Sequence, residues 1–382
     1  MSQPPPSTEG RITEILEPLG ERAEGGRVFR GRVTGSAGFS KLVAVKVLDD
    51  GSQRGEPAQR LRDEARLLAL LRHRAIVHVE DLVEIDGRWA VVMELIDGVD
   101  LGRLIKRGAV PGRALAEIGV EIASALAEAH EARDPASGAP LNLVHRDVQP
   151  GNVLVTPQGQ VKLLGFGLAR ARFTGREART GFLSVGAAGY LAPERLVGVD
   201  SAAGDLYGLG ATLLGAALGE GVRALAPTRS AHAAGVSELR GRLATAIGGS
   251  AGAGLADVIA STLAYGAEDR PSARAVEGQL LDLIASLDGP WLRRWAADRV
   301  TPYAPPPPPP EVPETEAAPP AMPPPSKPPA TSPPAASPPA APAPTEAREP
   351  KMILFYALLG GFGVALVMGL IAVAGVLLLL QR

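Results

Sequence analysis

The sequence predicts an α+β chain: a small strand-rich lobe, a larger helical lobe, a proline-rich linker and one C-terminal transmembrane helix. Three observations predict it. Up to about Gly98 the apolar residues form short strand-like runs with one helical stretch, and after Gly98 the patterns lengthen and become mostly helical. Of the 36 prolines, 22 lie between Thr301 and Pro350, and that unevenness marks a boundary. The 29 residues from Met352 to Leu380 carry no charge.

Residues 1–10 are polar and proline-rich, with no apolar run, so they are expected to be disordered and not a signal peptide. Residues 11–98 form the first lobe. Arg27 to Arg32 alternates as a strand, Leu42 to Leu48 is a second, and Trp89 to Leu95 is an apolar third that ends at Asp97-Gly98. Between them, Gln59 to Leu71 has helical periodicity, with Leu61, Ala65, Leu68 and Leu71 on one face. Residues 99–300 form the helical lobe, closed by a short amphipathic helix from Trp291 to Val300.

Residues 301–350 are rich in Pro, Ala, Ser and Thr, with six consecutive prolines at Pro305 to Pro310. Such a segment cannot bury a core and is expected to be extended and semi-rigid, with a reach on the order of 150 Å. The run of prolines also has the form of a ligand for proline-recognising modules, although a plain spacer is the preferred reading. Residues 351–382 hold the uncharged stretch, longer than the roughly 20 residues a bilayer core requires. Arg348 and Lys351 precede it and Arg382 follows, a weak charge asymmetry. With no signal peptide, the expectation is a single-pass membrane protein whose N-terminal lobes stay in the cytoplasm. Ala357, Gly361, Ala365 and Gly369 recur every four residues, a spacing that permits a homodimer through the helix. Gly and Ala are common in such helices anyway, and that plainer explanation is preferred.

Bulk composition excludes several classes. Lys+Arg total 39 and Asp+Glu 41, so no global field points to nucleic acid. The absence of cysteine excludes disulfides and thiolate metal sites.

Chemistry is concentrated in a series of motifs. Val43-Ala44-Val45-Lys46 places a lysine on a strand, and Glu64 lies mid-helix downstream. Then come His145-Arg146-Asp147-Val148-Gln149-Pro150-Gly151-Asn152, Val161-Lys162-Leu163-Leu164-Gly165-Phe166-Gly167 and Gly189-Tyr190-Leu191-Ala192-Pro193-Glu194. Asp205-Leu206-Tyr207-Gly208-Leu209-Gly210 and Asp269-Arg270-Pro271 complete the set. In this order and at these spacings, about residues 12 to 288 resemble the catalytic domain of serine/threonine protein kinases, in particular the bacterial, eukaryotic-like (Hanks-type) ones.

The resemblance implies a bilobal protein-kinase fold and a set of roles. Lys46 would hold the α- and β-phosphates of ATP, with Glu64 fixing Lys46 by an ion pair. Asp147 would accept the proton of the attacking hydroxyl, and Asn152 would hold a metal ion. Gly20, Gly25, Gly26, Val28, Ala44 and Leu154 would line the nucleotide, with the Glu94 carbonyl and the Leu95 backbone at the adenine and Met93 as gatekeeper. Arg146 would face a phosphorylated segment carrying Thr174, Thr180 or Ser184. Leu68, His145 and Phe166 would stack between the lobes, Glu194 and Arg270 would pair, and Asp205 would brace the catalytic loop.

The pattern breaks at the phosphates. Gly165 stands where the family has the metal-binding aspartate, and Gln149 where it has a lysine on the γ-phosphate. The segment Leu19-Gly20-Glu21-Arg22-Ala23-Glu24-Gly25-Gly26 departs from the glycine-rich loop: Gly26 fits its third glycine, but Glu21 and Ala23 take the places of the other two. Gly186-Ala187-Ala188 replaces the usual Gly-Thr-Pro, removing a hydroxyl that would hold Asp147. ATP binding stays open on this reading, while Mg2+ lacks its main ligand. The expectation is a membrane-anchored pseudokinase that scaffolds or regulates a protein partner, such as another kinase or a signalling target. The alternative is an active or weakly active serine/threonine kinase transferring the γ-phosphate to protein hydroxyls.

Overall fold

Valines at alternate positions build the first lobe. The structure, a computed structural model, describes residues 12–19, 26–35, 39–48, 70–166 and 187–300. The chain divides into two units at Pro307/Pro308, and the second lies outside the described residues. Strands β1 (Ile12–Pro18), β2 (Gly26–Thr34), β3 (Ser40–Leu48), β4 (Val79–Ile85) and β5 (Arg88–Glu94) form an antiparallel sheet in the order β1-β2-β3-β5-β4. Val33, Val43, Val45, Ala90 and Val92 make one buried cluster on it. Gly31 is required where β1 crosses β2, because a Cβ there would lie 2.6 Å from Val45 and 2.9 Å from the Glu14 carbonyl. Asp86 and Gly87, both at positive φ, make the tight turn between β4 and β5.

The second lobe begins with a small sheet, β6 (Val99–Asp100), β7 (Val153–Val155) and β8 (Val161–Leu163), which the sequence reading did not anticipate. Strands of two or three residues are too short to show a period. The helices follow: α1 (Leu101–Ile105), α2 (Gly112–Glu131), α3 (Ala202–Leu218), α4 (Arg229–Ile247), α5 (Gly249–Thr262), α6 (Ala273–Ile284) and α7 (Leu292–Arg299). Helices α2 and α3 are central. Both bury residues around most of their circumference, the signature of an interior helix. Ser201 caps α3 by accepting from the Gly204 N–H, and Ser272 caps α6 through the Ala275 N–H.

The strands expected near Arg27, Leu42 and Trp89 are present, each with slightly different ends, and Leu95 lies just past β5. The closing helix expected from Trp291 to Val300 runs from Leu292 to Arg299. Strands β1 and β4 were not anticipated. Of the helix expected from Gln59 to Leu71, the described part shows Leu70 as helical and Leu71 beyond its end. Glu64, Leu68, Gly20, Gly25, the segment with Thr174, Thr180 and Ser184, the linker and the apolar tail all lie outside the described residues. Among the described residues no helix is long and apolar enough to cross a membrane.

Candidate functional site

The loop from His145 to Asn152 is positioned by a buried carboxylate on α3. Asp205 Oδ2 accepts from the His145 N–H at 2.7 Å and from His130 Nε2 at 2.9 Å, and Oδ1 accepts from the Arg146 N–H at 2.7 Å. These bonds hold Arg146 at φ 70, a left-handed conformation that costs a non-glycine residue on the order of 1–3 kcal/mol. Gly208, one turn further along α3, lets the helix close on the loop, since a Cβ there would lie 2.6 Å from the Val148 carbonyl.

His145 ties this loop to the strand that follows it. Its Nδ1 accepts from the Asp147 N–H at 3.2 Å, and its Nε2 lies 2.8 Å from the Leu164 carbonyl oxygen. A carbonyl only accepts, so Nε2 carries the proton and the ring is neutral. Burial lowers the pKa of this imidazole, against the opposing pull of Asp205. The ring packs edge-on against Phe166, centroids 4.5 Å apart.

On the outer side of the loop stand the residues assigned to catalysis. Asp147 Oδ1 accepts from Gln149 Nε2 at 2.7 Å, and Oδ2 accepts from Asn152 Nδ2 at 2.7 Å. Asn152 Nδ2 also donates to the Asp147 carbonyl at 2.8 Å. Two neutral amides therefore hold the carboxylate that the sequence reading had left without its threonine hydroxyl. Gly165 is the next neighbour, at φ 87, and a Cβ built on it would sit 3.8 Å from the Asn152 amide. The structure thus brings Asp147, Gln149, Asn152 and Gly165 together.

Lys46, Ala44 and Val28 lie on the first sheet. Val28 pairs with Lys46, and Ala44 pairs with Met93 at the start of the connection between the lobes. Leu154 lies on β7, opposite Lys162 on β8. Glu94, expected to act through its carbonyl, also uses its side chain: the carboxylate accepts from Lys162 Nζ at 2.6 Å and from the His78 N–H at 2.9 Å. That pair joins the end of β5 to β8, and so ties the two sheets across the connection.

Three further ion pairs sit below the loop, two of them sharing Asp200. Arg270 and Glu194 form a two-pronged pair, Nη1 to Oε1 at 2.7 Å and Nη2 to Oε2 at 2.9 Å. The remaining Arg270 donors reach the carbonyls of Ala264, Ala203 and Tyr265, so all five N–H groups are answered. Burial pushes the Glu194 carboxyl up, but the Arg270 hydrogen bonds and charge outweigh it and hold it below the ordinary value. The Arg146 side chain faces Asp200 at 3.0 Å, and Asp200 is shared with Arg195, also at 3.0 Å. The sequence reading missed Asp200, because a loop aspartate beside no motif carries no signal, and missed Glu94–Lys162 because no spacing rule pairs a strand end with a strand 68 residues later.

Comparison with known proteins places this architecture. The protein kinase domain family matches residues 14–279. The tyrosine-protein kinase MasK of Myxococcus xanthus is 36% identical over 224 residues, covering 54% of this chain and 34% of that protein. The serine/threonine-protein kinase PknA of Mycobacterium tuberculosis is 41% identical over 180 residues, covering 45% of this chain and 39% of that protein. The match thus spans little more than a third of the length of these relatives. Among solved structures, the PknI kinase domain of Mycobacterium tuberculosis, in a single-substitution form, superposes with a TM-score of 0.52 at 26% identity, covering 71% of this chain and 95% of that one.

Proposed function

This chain belongs to the protein kinase family, in its bacterial eukaryotic-like (Hanks-type) serine/threonine group, and on that premise we propose that it is a membrane-anchored pseudokinase. It acts as a scaffold or regulator for a protein partner, and its lobes face the cytoplasm. The observation that carries this reading is Gly165. Phosphoryl transfer depends on positioning and on neutralising charge that develops on the phosphates, and the metal ion bridging the β- and γ-phosphates does much of both. Mg2+ prefers oxygen ligands, typically one or two carboxylates alongside the phosphates. At this place the chain offers the amide of Asn152 and, at position 165, no side chain at all. That amide holds Asp147 through Nδ2 and leaves Oδ1 as a single neutral oxygen, with no carboxylate at position 165 to join it. The donor set does not fit Mg2+.

Two further features support the reading. Gln149 supplies a hydrogen bond where the family has a positive charge, and it spends that bond on Asp147, not on a phosphate. Asp205 and the Arg270–Glu194 pair make their bonds below the loop, so the domain keeps its shape without the chemistry. Lys46, Val28, Ala44 and Leu154 remain for the nucleotide, so ATP binding without metal is part of the proposal. The anchor is the uncharged stretch from Met352 to Leu380.

The test is transfer of the γ-phosphate from ATP by the full chain, to itself and to a generic basic protein, with Asp147→Ala as the blank. The expected result is no transfer above that blank from folded protein. Clear transfer that Asp147→Ala abolishes would overturn the proposal in favour of an active kinase with altered metal use.

A further inference from the structure

Helix α7 sorts its residues in an unusual way. Leu292, Trp295, Ala296 and Val300 are buried against the lobe, as an amphipathic helix requires. The outward face carries Arg293, Arg294, Ala297 and Arg299, and a second tryptophan, Trp291, stands 53% exposed at the N-terminal end. A large ring left half in water forgoes burial worth about 25 cal/mol per Å2 of apolar area. One neighbour of the ring is a cation, the Arg113 guanidinium, 4.8 Å from its centroid. A shallow hollow beside it is lined by Trp291, Arg293, Arg294 and Ala297.

The charge here is one-sided. At the far end of α7, Arg107 Nη1 donates to the Arg299 carbonyl at 3.1 Å, which adds another cation to the same helix. Against these arginines stand Asp298, 3.6 Å from Arg294 and 65% exposed, Asp288, just before the helix, and the half-buried Glu117, which accepts from the Leu292 N–H behind the first turn. The apolar face of α7 is used by the lobe, so what it offers outward is an exposed amphipathic ring beside arginines, groups that suit a lipid headgroup layer by ring polarity and by charge. The sequence beyond Val300 contains the 29 uncharged residues read above as a membrane span, within reach of the lobe through the linker.

We propose that the outward face of α7, with Trp291, Arg293 and Arg294 at its centre, is a contact surface for anionic lipid headgroups. The arginines meet the lipid phosphates, and the Trp291 ring seats at the level of the headgroups. The proposal rests on the anchored reading only for the nearness of the membrane. Its consequence is that anionic lipid content, and not the anchor alone, determines how much of the time the kinase-like lobes lie against the bilayer.

The experiment uses the full chain in lipid nanodiscs of phosphatidylcholine alone or of an equimolar mixture with phosphatidylglycerol, all containing headgroup spin-labelled lipid that quenches tryptophan. The signal is the quenching that Trp291→Phe removes. It should be present in the anionic discs and weak in the neutral ones. Each of Arg293→Gln and Arg294→Gln should lower the contact constant about fivefold, and molar salt should abolish it. These side chains are exposed, so the variants should keep the wild-type thermal transition. Quenching that is absent, equal in both lipids, or indifferent to both arginines would overturn the proposal. If the chain does not stay with the discs through gel filtration, the anchored reading fails by itself. The same quenching is then read with the chain added to vesicles of the two compositions, where the same outcomes decide.

Discussion

On its inner side the loop from His145 to Asn152 meets α3, and there the backbone donors of His145 and Arg146 are answered by Asp205, while Arg270 and Glu194 lock the segment below. On its outer side the same loop faces the place proposed for the phosphates, where the kinase resemblance leads one to expect a carboxylate and a cation and the chain has Gly165 and Gln149. The two sides are a few residues apart, yet one matches the expected set of residues and the other departs from it. The comparison teaches that the geometry of this loop is set from beneath. Gln149 and Asn152 hold Asp147 with neutral amides, so the outer side of the loop keeps its form through its own side chains.

The largest effect should come from breaking the inner side. Arg270→Met would leave Glu194 partly buried and unpaired, and removing one partner of such a pair costs about 3–5 kcal/mol. The Arg270 side chain is fully buried and makes three further bonds to carbonyls, which would lose their donors too. Urea denaturation should show a large drop in midpoint with little change in slope. A drop as small as that of a surface ion pair would mean that the inner side is not the framework described here.

A smaller effect is expected on the outer side. Gly165→Asp puts a side chain at φ 87, strained for any residue but milder for Asp than for most, where a Cβ makes ordinary contact with Asn152. Stability should fall by about 1–2 kcal/mol. Thermal stabilisation by ATP should become Mg2+-dependent, while γ-phosphate transfer stays at the Asp147→Ala blank, because Gln149 and the altered glycine segment remain. Restored transfer would mean that the outer side was disabled by one residue and that the other substitutions are tolerated.

The two sides also differed in how far the sequence disclosed them. Motif residues could be placed because their spacing survives substitution: Asp147 and Gly165 are recognisable as a pair even though one of them is no longer acidic. The strands β2, β3 and β5 announce themselves by valine-rich runs such as Leu42 to Leu48. Strand β4 was missed although it had a signal, the Asp86-Gly87 pair at a two-residue hairpin turn. The pairings of Asp200 with Arg146 and of Glu94 with Lys162 had none, because each joins residues distant in sequence that meet only after the lobes have formed. Likewise, the sequence showed Gln149 as a lost charge but not as the donor that now holds Asp147.

The smallest effect tests whether the framework is optimised everywhere. Glu117 on α2 accepts from the Leu292 N–H at 3.2 Å and so caps α7, but its Oε1 is buried without a hydrogen-bond partner among the described residues. Burial pushes this carboxyl above its ordinary value of 4.5, and the opposing pulls of the Leu292 N–H and Arg113 do not outweigh it. A carboxyl raised in the folded state contributes its stability below the unfolded value, and that contribution is lost as pH rises through the folded one. Near neutral pH the ionised Glu117 is therefore a small liability. Glu117→Gln keeps an oxygen for Leu292 and removes the ionisable group, so it should raise the thermal midpoint at pH 7, by an amount worth well under about 1 kcal/mol because the site is partly open to solvent. The advantage should shrink as the pH falls and vanish below 4.5, where the wild-type carboxyl is protonated in both states. A variant that is less stable at pH 7 would show that the charge of Glu117 at the N-terminus of α7 outweighs its burial, and the end of α7 beside Trp291 would then belong to the framework as firmly as Asp205 does.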